Sequence, residues 1–263
     1  MNARAGRTVL GLWSLLVILF LWVPLAIILI YAFNTSNIQS WPIPGFTLRW
    51  FRVAWHDPDV RSALWLSFKC ALTATGVALV LGTMAAAAVS RFRFFGREAL
   101  SFLLVLPIAL PGVITGIALS SFYAFWSVQF SFWTIVIGHA TFCVVIVYNN
   151  VLARMRRTSP SLVEASMDLG ADGFQTFRWV TLPVLSTALV AGGLLAFALS
   201  FDEVIVTLFT AGAQNTLPIW ILGKIRLGQQ LPEVNAVVFV VIMLTVIPVV
   251  ISQRLARESG LLK

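Results

Sequence analysis

Six long apolar stretches, separated by shorter polar segments, run along the chain. They are Val9 to Phe33, roughly Ser62 to Ser90, roughly Ala99 to Trp126, about Phe130 to Ala153, about Val184 to Ala211 and about Val234 to Gln253. A helix of about 20 apolar residues crosses a bilayer core of about 30 Å while satisfying its own backbone polar groups. The pattern therefore predicts an all-α, polytopic membrane protein with six transmembrane helices.

The composition supports a membrane protein and excludes several other classes. Hydrophobic residues make up 59% of the 263 residues and charged residues only 11%, against about 45 to 50% and about 25% in soluble domains. An isolated soluble enzyme, a coiled coil and a disordered chain are thereby excluded. Cys70 and Cys143 both lie in apolar stretches, so they provide neither a disulfide framework nor a metal-binding spacing.

The first and third apolar stretches differ from the other four, the first in following two arginines and the third in containing prolines and glycines. The first follows Arg4 and Arg7 as a signal peptide would, but its roughly 25 apolar residues exceed the usual core of about 7 to 15, so we interpret it as an uncleaved span. The third contains helix-weakening residues at mid-membrane: Pro107, Pro111, Gly112 and Gly116. These predict a bend, either one that serves alternating access or an ordinary packing kink.

The distribution of basic residues predicts the orientation. With six spans, both termini share a side with the second and fourth loops, and that side carries twelve of the 18 basic residues against five opposite. Basic loops stay in the cytoplasm, so both termini are predicted to be cytoplasmic. The net charge of +8 does not indicate nucleic-acid binding, because the basic residues form short clusters between apolar stretches.

The fourth loop, residues 154–183, is the largest feature on the predicted cytoplasmic side. Ser159 before Pro160 fits a helix start, and Ser161 with Glu164 also fits a capping box. Gly170 fits a left-handed helix stop. Asp172 with Gln175 fits a second capping box, after which a helix is expected to run to Leu182 and Pro183, with three aromatic side chains anchoring it to the bundle: Phe174, Phe177 and Trp179.

On these signals alone the loop is equally compatible with an amphipathic connector in the headgroup region and with a protein-docking element. Its residues favour docking. Glu164-Ala165-Ser166, then Gly170, then Thr181-Leu182-Pro183 resemble the "EAA…G…LP" motif of ATP-binding-cassette importer permeases. Ser166 departs from that motif, which has a second alanine here, but serine is also small.

The resemblance extends over nearly the whole chain and is greatest to the spermidine/putrescine branch, in particular to its second permease subunit. It rests on Tyr31-Ala-Phe33-Asn34, His139-Ala-Thr-Phe142-Cys143, Met167-Asp168-Leu169-Gly170-Ala171, Leu199-Ser-Phe-Asp202-Glu203-Val204 and Thr216-Leu217-Pro218. It implies a single permease domain over residues 1–263 in the bacterial inner membrane. It also implies three kinds of partner: two copies of a cytoplasmic ATPase, a homologous second permease and an external or periplasmic substrate-binding protein.

The same resemblance assigns ATPase coupling to Glu164, Ala165, Ser166, Asp168, Gly170 and Pro183. ATP and Mg would bind to the partner ATPase, and this chain is expected to hold no cofactor or metal. The sequence agrees with that division, because it contains no G-x-x-x-x-G-K-[ST] phosphate-binding loop and no catalytic motif. We therefore expect a non-catalytic translocation subunit.

Asp202 and Glu203 are the acidic residues of the fifth stretch, near its predicted outer end. Ionisable groups inside a membrane are functional candidates by default. With Ser200, Thr207 and Thr210, Glu203 would form one polar stripe on a continuous helix, whereas Asp202 would lie about 100° round it. Candidate residues of a cation pathway are Glu203, Asp202, Ser200 and Thr207, with Glu203 favoured over Asp202. A structural salt bridge, with Lys224 or Arg226 as partner, is the competing interpretation.

Two further polar residues receive a structural interpretation. His139 is expected to be a packed histidine bonded to a neighbouring helix, and Glu233 an acid at a helix N-terminus. For the whole protein, polyamine import is the leading hypothesis. Import of another solute, such as 4-aminobutyrate or an amino acid derivative, remains open, and a self-contained secondary transporter is disfavoured by the loop motif.

Overall fold

The computed structural model describes the backbone of residues 3–228 and 230–258 and the side chains of residues 7, 9–228 and 230–245. Of the basic residues used for the orientation, Lys263 lies outside the described backbone, and Arg4, Arg254 and Arg257 lie outside the described side chains. The described chain is almost entirely helical, with one isolated β-bridge between Asn34 and Phe46. It divides into two compact units, one comprising Met1–Arg61 with Ile221–Lys263 and the other Ser62–Trp220.

The first unit contains α1 (Ala3–Tyr31) and α2 (Arg49–His56). The chain then leaves this unit along α3 (Pro58–Arg91). It re-enters the unit in the last part of α11 (Leu217–Leu227) and ends with α12 (Leu231–Glu258). The rings of Phe33, Phe51 and Phe239 pack against one another at 5.1 to 5.4 Å between centroids. The apolar side chains of α1 are exposed from Val9 to Ile27, as expected of a helix whose surroundings are lipid or another protein.

The second unit is built around α6 (Phe132–Arg157), which packs along α9 (Leu182–Phe201). Before α6 come α4 (Arg97–Ala109) and α5 (Gly112–Phe125). Between α6 and α9 lie α7 (Ser161–Asp168), α8 (Gly173–Thr176) and a π-helical turn, Phe177–Thr181. The unit also contains α10 (Ile205–Thr210), which packs against α5 and α6.

Four helical segments within the described residues are long and apolar enough to cross a membrane: Val9–Tyr31, Pro58–Arg91, Phe132–Arg157 and Gly173–Phe201. The pair α4 and α5, bent by 106°, adds a fifth if it counts as one span. The bend lies at Leu110 and Pro111, where the sequence predicts helix weakening, because proline removes a hydrogen-bond donor and its ring clashes with the preceding turn. In α12 the described apolar part is Leu231–Thr245.

Candidate functional site

The loop between α6 and α9 folds as a helical hairpin, which we call the 161–181 hairpin. Its α7 ends in a left-handed residue, Gly170, at a φ of +87°, as the sequence predicts. The N–H of Ala171 donates to the carbonyl of Ser166 and the N–H of Gly170 to that of Met167, which is the Schellman pattern. The glycine is required here because residues with a Cβ rarely adopt this conformation.

Of the two capping boxes predicted for the hairpin, one forms in the structure and the other does not. Asp172 and Gln175 form the predicted capping box, with the Gln175 N–H donating to Asp172 Oδ1 at 2.8 Å and the Asp172 N–H to Gln175 Oε1 at 3.0 Å. The helix start at Ser159 and Pro160 is also supported, since Pro160 has helical dihedrals. The Ser161–Glu164 capping box was wrong. Ser161 Oγ instead lies 2.6 Å from Ser159 Oγ.

The two faces of the 161–181 hairpin differ in burial. Five of the six predicted coupling residues are exposed: Glu164, Ala165, Asp168, Gly170 and, just beyond the hairpin, Pro183. Ser166 is buried, and its hydroxyl lies 2.8 Å from that of Thr176, which is also buried. This bond joins α7 to α8. Sequence reasoning missed Thr176, because nothing in the spacing of two hydroxyl residues ten positions apart indicates contact across a turn.

The helix after Asp172 does not end at Leu182 and Pro183, as expected, but continues into α9. Pro183 has no N–H to donate and its ring obstructs the preceding turn of a regular α-helix. The chain accommodates it by widening that turn into the π-helix, in which the Leu182 N–H donates to the Phe177 carbonyl. The anchoring expected of Phe174 and Trp179 was also wrong, since both side chains are largely exposed; only Phe177 is half-buried.

Two arginines attach the 161–181 hairpin to the helices beside it. Arg91, at the end of α3, donates from Nη2 to Thr181 Oγ1 at 2.7 Å, and Arg154 donates from Nε to the Val184 carbonyl at 3.0 Å. A cavity of about 370 Å³ lies between the hairpin and these helices, and Arg91, Glu164 and Thr181 are among its lining residues. These two bonds hold the Thr181–Pro183 end of the motif against α3 and α6.

The predicted fifth span is interrupted, so the continuous polar stripe was wrong. α9 ends at Phe201 and α10 begins at Ile205, which leaves an unwound segment at residues 202–204, here called the 202–204 break. Negative charge is unfavourable at a helix C-terminus and favourable at an N-terminus. Asp202 is the C-cap residue of α9, where negative charge is unfavourable, whereas Glu203 lies ahead of α10, where negative charge is favourable. Glu203 Oε1 then accepts a hydrogen bond from the Val206 N–H at 2.9 Å.

His139 joins the two sides of this break. Its Nδ1 lies 2.7 Å from Ser200 Oγ in α9 and its Nε2 lies 2.9 Å from Thr207 Oγ1 in α10. The prediction that His139 bonds to a neighbouring helix is confirmed, and Ser200 and Thr207, separated along the chain by the break, meet at one imidazole. All three side chains are buried, Glu203 is half-buried and Asp202 is exposed.

In the first unit, Glu233 lies in the first turn of α12, as predicted, but is completely buried. Its Oε2 lies 3.0 Å from Lys224 Nζ, and Lys224 Nζ lies 3.9 Å from Asp57 Oδ2. Lys224, considered from the sequence as a partner for Asp202 or Glu203, thus forms its ion pairs with Glu233 and Asp57. No helical spacing relates Lys224 to Glu233, because they lie on different helices.

Comparison with known proteins places these features in a family. The spermidine/putrescine transport system permease protein PotC of Escherichia coli K12 is 30% identical over 256 residues, which cover 97% of this chain and 96% of the relative. The putrescine transport system permease protein PotI of the same strain is 35% identical over 237 residues, covering 85% and 83%.

A solved structure shows the same fold. The crystal structure of a bacterial ABC transporter involved in the import of the acidic polysaccharide alginate contains a chain that matches with a TM-score of 0.64 and 18% identity, over 98% of both chains. The family model described as "binding-protein-dependent transport system inner membrane component" matches residues 78–257. The chain therefore belongs to the family of inner membrane components of binding-protein-dependent transport systems.

Proposed function

We propose that this chain is one of two permease subunits of an ATP-driven importer for putrescine, spermidine or closely related cations. Two cytoplasmic ATPases would bind ATP and Mg, and an external binding protein would deliver the solute. This chain would hold no cofactor or metal and catalyse no reaction. PotC and PotI, which are named as polyamine permeases and match 97% and 85% of this chain, support the substrate class.

The proposal includes six spans with both termini in the cytoplasm. α12 supplies the last span, and the 106° pair of α4 and α5 forms one broken span. The positive-inside distribution of twelve against five basic residues supports this orientation. It places residues 154–183 in the cytoplasm, where a soluble ATPase could reach them.

The surface of the 161–181 hairpin supports docking to the ATPase. Apolar side chains that are large and exposed lie beside the exposed motif residues: Met167 is 51% exposed, Leu169 90% and Phe174 74%. Exposed apolar groups rimmed by polar residues are typical of protein interfaces. Because Ser166 and Thr176 join the two helices internally, the hairpin could move as one body and transmit force to α9 through the π-helical turn.

The cation pathway is proposed to pass the 202–204 break. Unwound backbone at membrane depth is tolerated where it is buried in protein or lines a water-filled cavity. An exposed Asp202 and a half-buried Glu203 at such a point provide charge complementary to an ammonium group. Ser200 and Thr207 would contribute indirectly, through their bonds to His139.

The test is uptake by the complete complex, reconstituted in liposomes with its binding protein and ATP. The panel contains putrescine, spermidine, 4-aminobutyrate and neutral amino acids. ATP-dependent accumulation of one or both polyamines is expected. Accumulation of another class of solute, with no polyamine uptake, would contradict the substrate assignment while leaving the transport architecture intact.

A further inference from the structure

The 202–204 break costs free energy, and other interactions of the protein must offset that cost. Interrupting a helix removes intrahelical hydrogen bonds, and unpaired backbone groups are expensive away from water. Part of the offset is local, because Glu203 Oε1 accepts from the Val206 N–H and the Glu203 carbonyl accepts from Thr207 Oγ1 at 2.7 Å. Both bonds stabilise the start of α10 but neither holds α10 to α9.

The bonds of His139 supply that connection. A neutral imidazole has one donor nitrogen and one acceptor nitrogen. The single proton of the Thr207 hydroxyl is committed to the Glu203 carbonyl, so Thr207 Oγ1 can only accept from His139. Nε2 therefore carries the proton, and Nδ1 accepts from the Ser200 hydroxyl. One directed chain of hydrogen bonds runs from Ser200 in α9, through His139 and Thr207, to the backbone of Glu203.

The neighbouring residues of α6 fix His139 against α10. Gly138 permits a close approach, since a Cβ there would lie 3.0 Å from Val206 Cγ1. Thr134 Oγ1 lies 2.7 Å from the Thr210 carbonyl oxygen of α10 and 2.7 Å from the Ser131 carbonyl oxygen, between which its one proton is shared. On the other side of the break, Cys143 Sγ lies 3.3 Å from the Ala196 carbonyl of α9. α6 is thus the common support of both helices, and His139 lies where they separate.

Glu203 depends on this geometry for its orientation. One of its oxygens is used by the Val206 N–H, and a carboxylate with about four lone-pair sites can still accept bonds from a cation. If the break closed into regular helix, the Val206 N–H would bond to the Asp202 carbonyl four residues earlier. The carboxylate would then lose the contact that sets its direction.

From this geometry we propose that His139 is a positioning residue of the translocation pathway, holding the 202–204 break open so that Glu203 is presented to a polyamine ammonium group. The proposal rests on the proposed function for the identity of the cation. It assigns His139 no contact with the substrate and no proton-transfer role. Its effect on transport passes through Glu203.

Three substitutions of His139 distinguish the contributions of its two hydrogen bonds. His139→Phe keeps a planar ring and removes both bonds. In His139→Gln the side-chain amide can reach the position of Nε2 and preserve the bond to Thr207, whereas in His139→Asn it can reach only that of Nδ1 and preserve the bond to Ser200. Val145→Ala, at a buried apolar position of the same helix, is the matched control for loss of packing.

The first measurement is polyamine uptake by the complete reconstituted complex. His139→Phe is expected to raise the KM for uptake about tenfold, because Glu203 loses the geometry that presents its carboxylate to the cation. Assembly with the ATPase and basal ATP hydrolysis should remain at wild-type levels. His139→Gln should retain more activity than His139→Asn, and Val145→Ala should leave the KM unchanged. Equal effects of all four variants would overturn the proposal.

The second measurement tests whether His139 acts through Glu203. In a double-mutant cycle, residues that act along one path are not additive. His139→Phe added to Glu203→Gln is therefore expected to cause no further loss beyond Glu203→Gln alone. If the fold-changes in KM of the two single variants multiply in the double variant, His139 affects transport by another route, and the proposal is wrong.

The third measurement does not depend on transport. Amide hydrogen exchange in the peptide containing Val206 and Leu208 is expected to accelerate in His139→Phe and not in Val145→Ala, because the start of α10 loses its support. Unchanged exchange would overturn the positioning role even if uptake fell. If the wild-type complex accumulates no polyamine, the proposed function fails, and the exchange result still decides whether His139 holds the break.

Discussion

The 161–181 hairpin and the 202–204 break lie at opposite ends of α9, and both interrupt the same apolar helical path. In the hairpin, structural and functional side chains are separate: Ser166 and Thr176 are buried and bond to each other, whereas Glu164 and Asp168 are exposed. At the break, Glu203 has both tasks, because it caps α10 and is the proposed contact for the cation. Hairpin substitutions should therefore divide into two classes, whereas a substitution of Glu203 should combine both effects.

The largest effect is expected for Gly170→Val. At a φ of +87° a β-branched residue is strongly strained, so the turn between α7 and α8 should rearrange. Substrate-stimulated ATP hydrolysis by the assembled complex should be abolished while membrane insertion persists. Gly173→Ala is the matched control, since Gly173 is in the same hairpin, is helical, and a Cβ there would contact nothing within 4 Å. Normal coupling in Gly170→Val would contradict the role of the turn.

Glu203→Gln should have the next largest effect. Loss of a charge-assisted contact costs about 1.5 to 3 kcal/mol, so the KM for polyamine uptake should rise by about tenfold to a hundredfold. The amide oxygen can still accept from the Val206 N–H, so the start of α10 should remain intact. Asp202→Asn is the comparison, with a smaller effect expected because Asp202 caps no helix N-terminus.

Loss of assembly before loss of uptake in Glu203→Gln would favour a structural role for the carboxylate. That outcome would remove the second task from Glu203, which would then be structural in the same way as Ser166 and Thr176 in the hairpin. Uptake and subunit copurification should be measured on the same preparations.

A moderate effect is expected for the buried pair of the hairpin. Ser166→Ala restores the alanine of the family motif but leaves the buried Thr176 hydroxyl without its partner, at a cost of about 1 to 3 kcal/mol. Thr176→Val should be similar, and the double substitution should recover much of the loss, because both polar groups are then removed. Thermal unfolding and coupling efficiency of the four proteins test this. A double variant as damaged as the sum of the single ones would contradict the pairing.

The smallest effect is expected for Arg91→Ala. Arg91 is an exposed side chain that bonds to Thr181, and exposed polar contacts contribute about 0.2 to 1 kcal/mol. Stability should change little, but the hairpin loses one attachment to α3, so the ratio of solute transported to ATP hydrolysed should fall slightly. Arg93→Ala, on the short loop after the same helix, serves as the control for loss of charge.

The sequence predicts the hairpin better than the break for a physical reason. Gly170, Asp172 and Gln175 act through bonds to residues a few positions away, so their pattern is visible in a short segment of sequence. The break depends on His139, which is more than 60 residues away along the chain from both Ser200 and Thr207. Without that contact, the apolar pattern from Val184 to Ala211, in which Asp202 and Glu203 are the charged residues, favours one continuous helix.

The same distinction applies elsewhere in the chain. The 106° bend between α4 and α5 follows from Pro111, a local signal, although its size does not. Four of the predicted spans, and a fifth if α4 and α5 count as one, were predictable because apolar length alone determines which helices suit a bilayer. The ion pairs of Lys224 with Glu233 and Asp57 join side chains on different elements, and no pattern of spacing indicates them.

The most direct test of the central claim is ATP-driven uptake of labelled spermidine and putrescine into liposomes that contain the complete complex and its binding protein, compared between the wild type, Gly170→Val and Glu203→Gln. The wild type should accumulate polyamine only with ATP. Gly170→Val should lose both uptake and stimulated ATP hydrolysis, and Glu203→Gln should retain the coupling at a raised KM. Polyamine accumulation that is independent of ATP, or unaffected by both substitutions, would contradict the account.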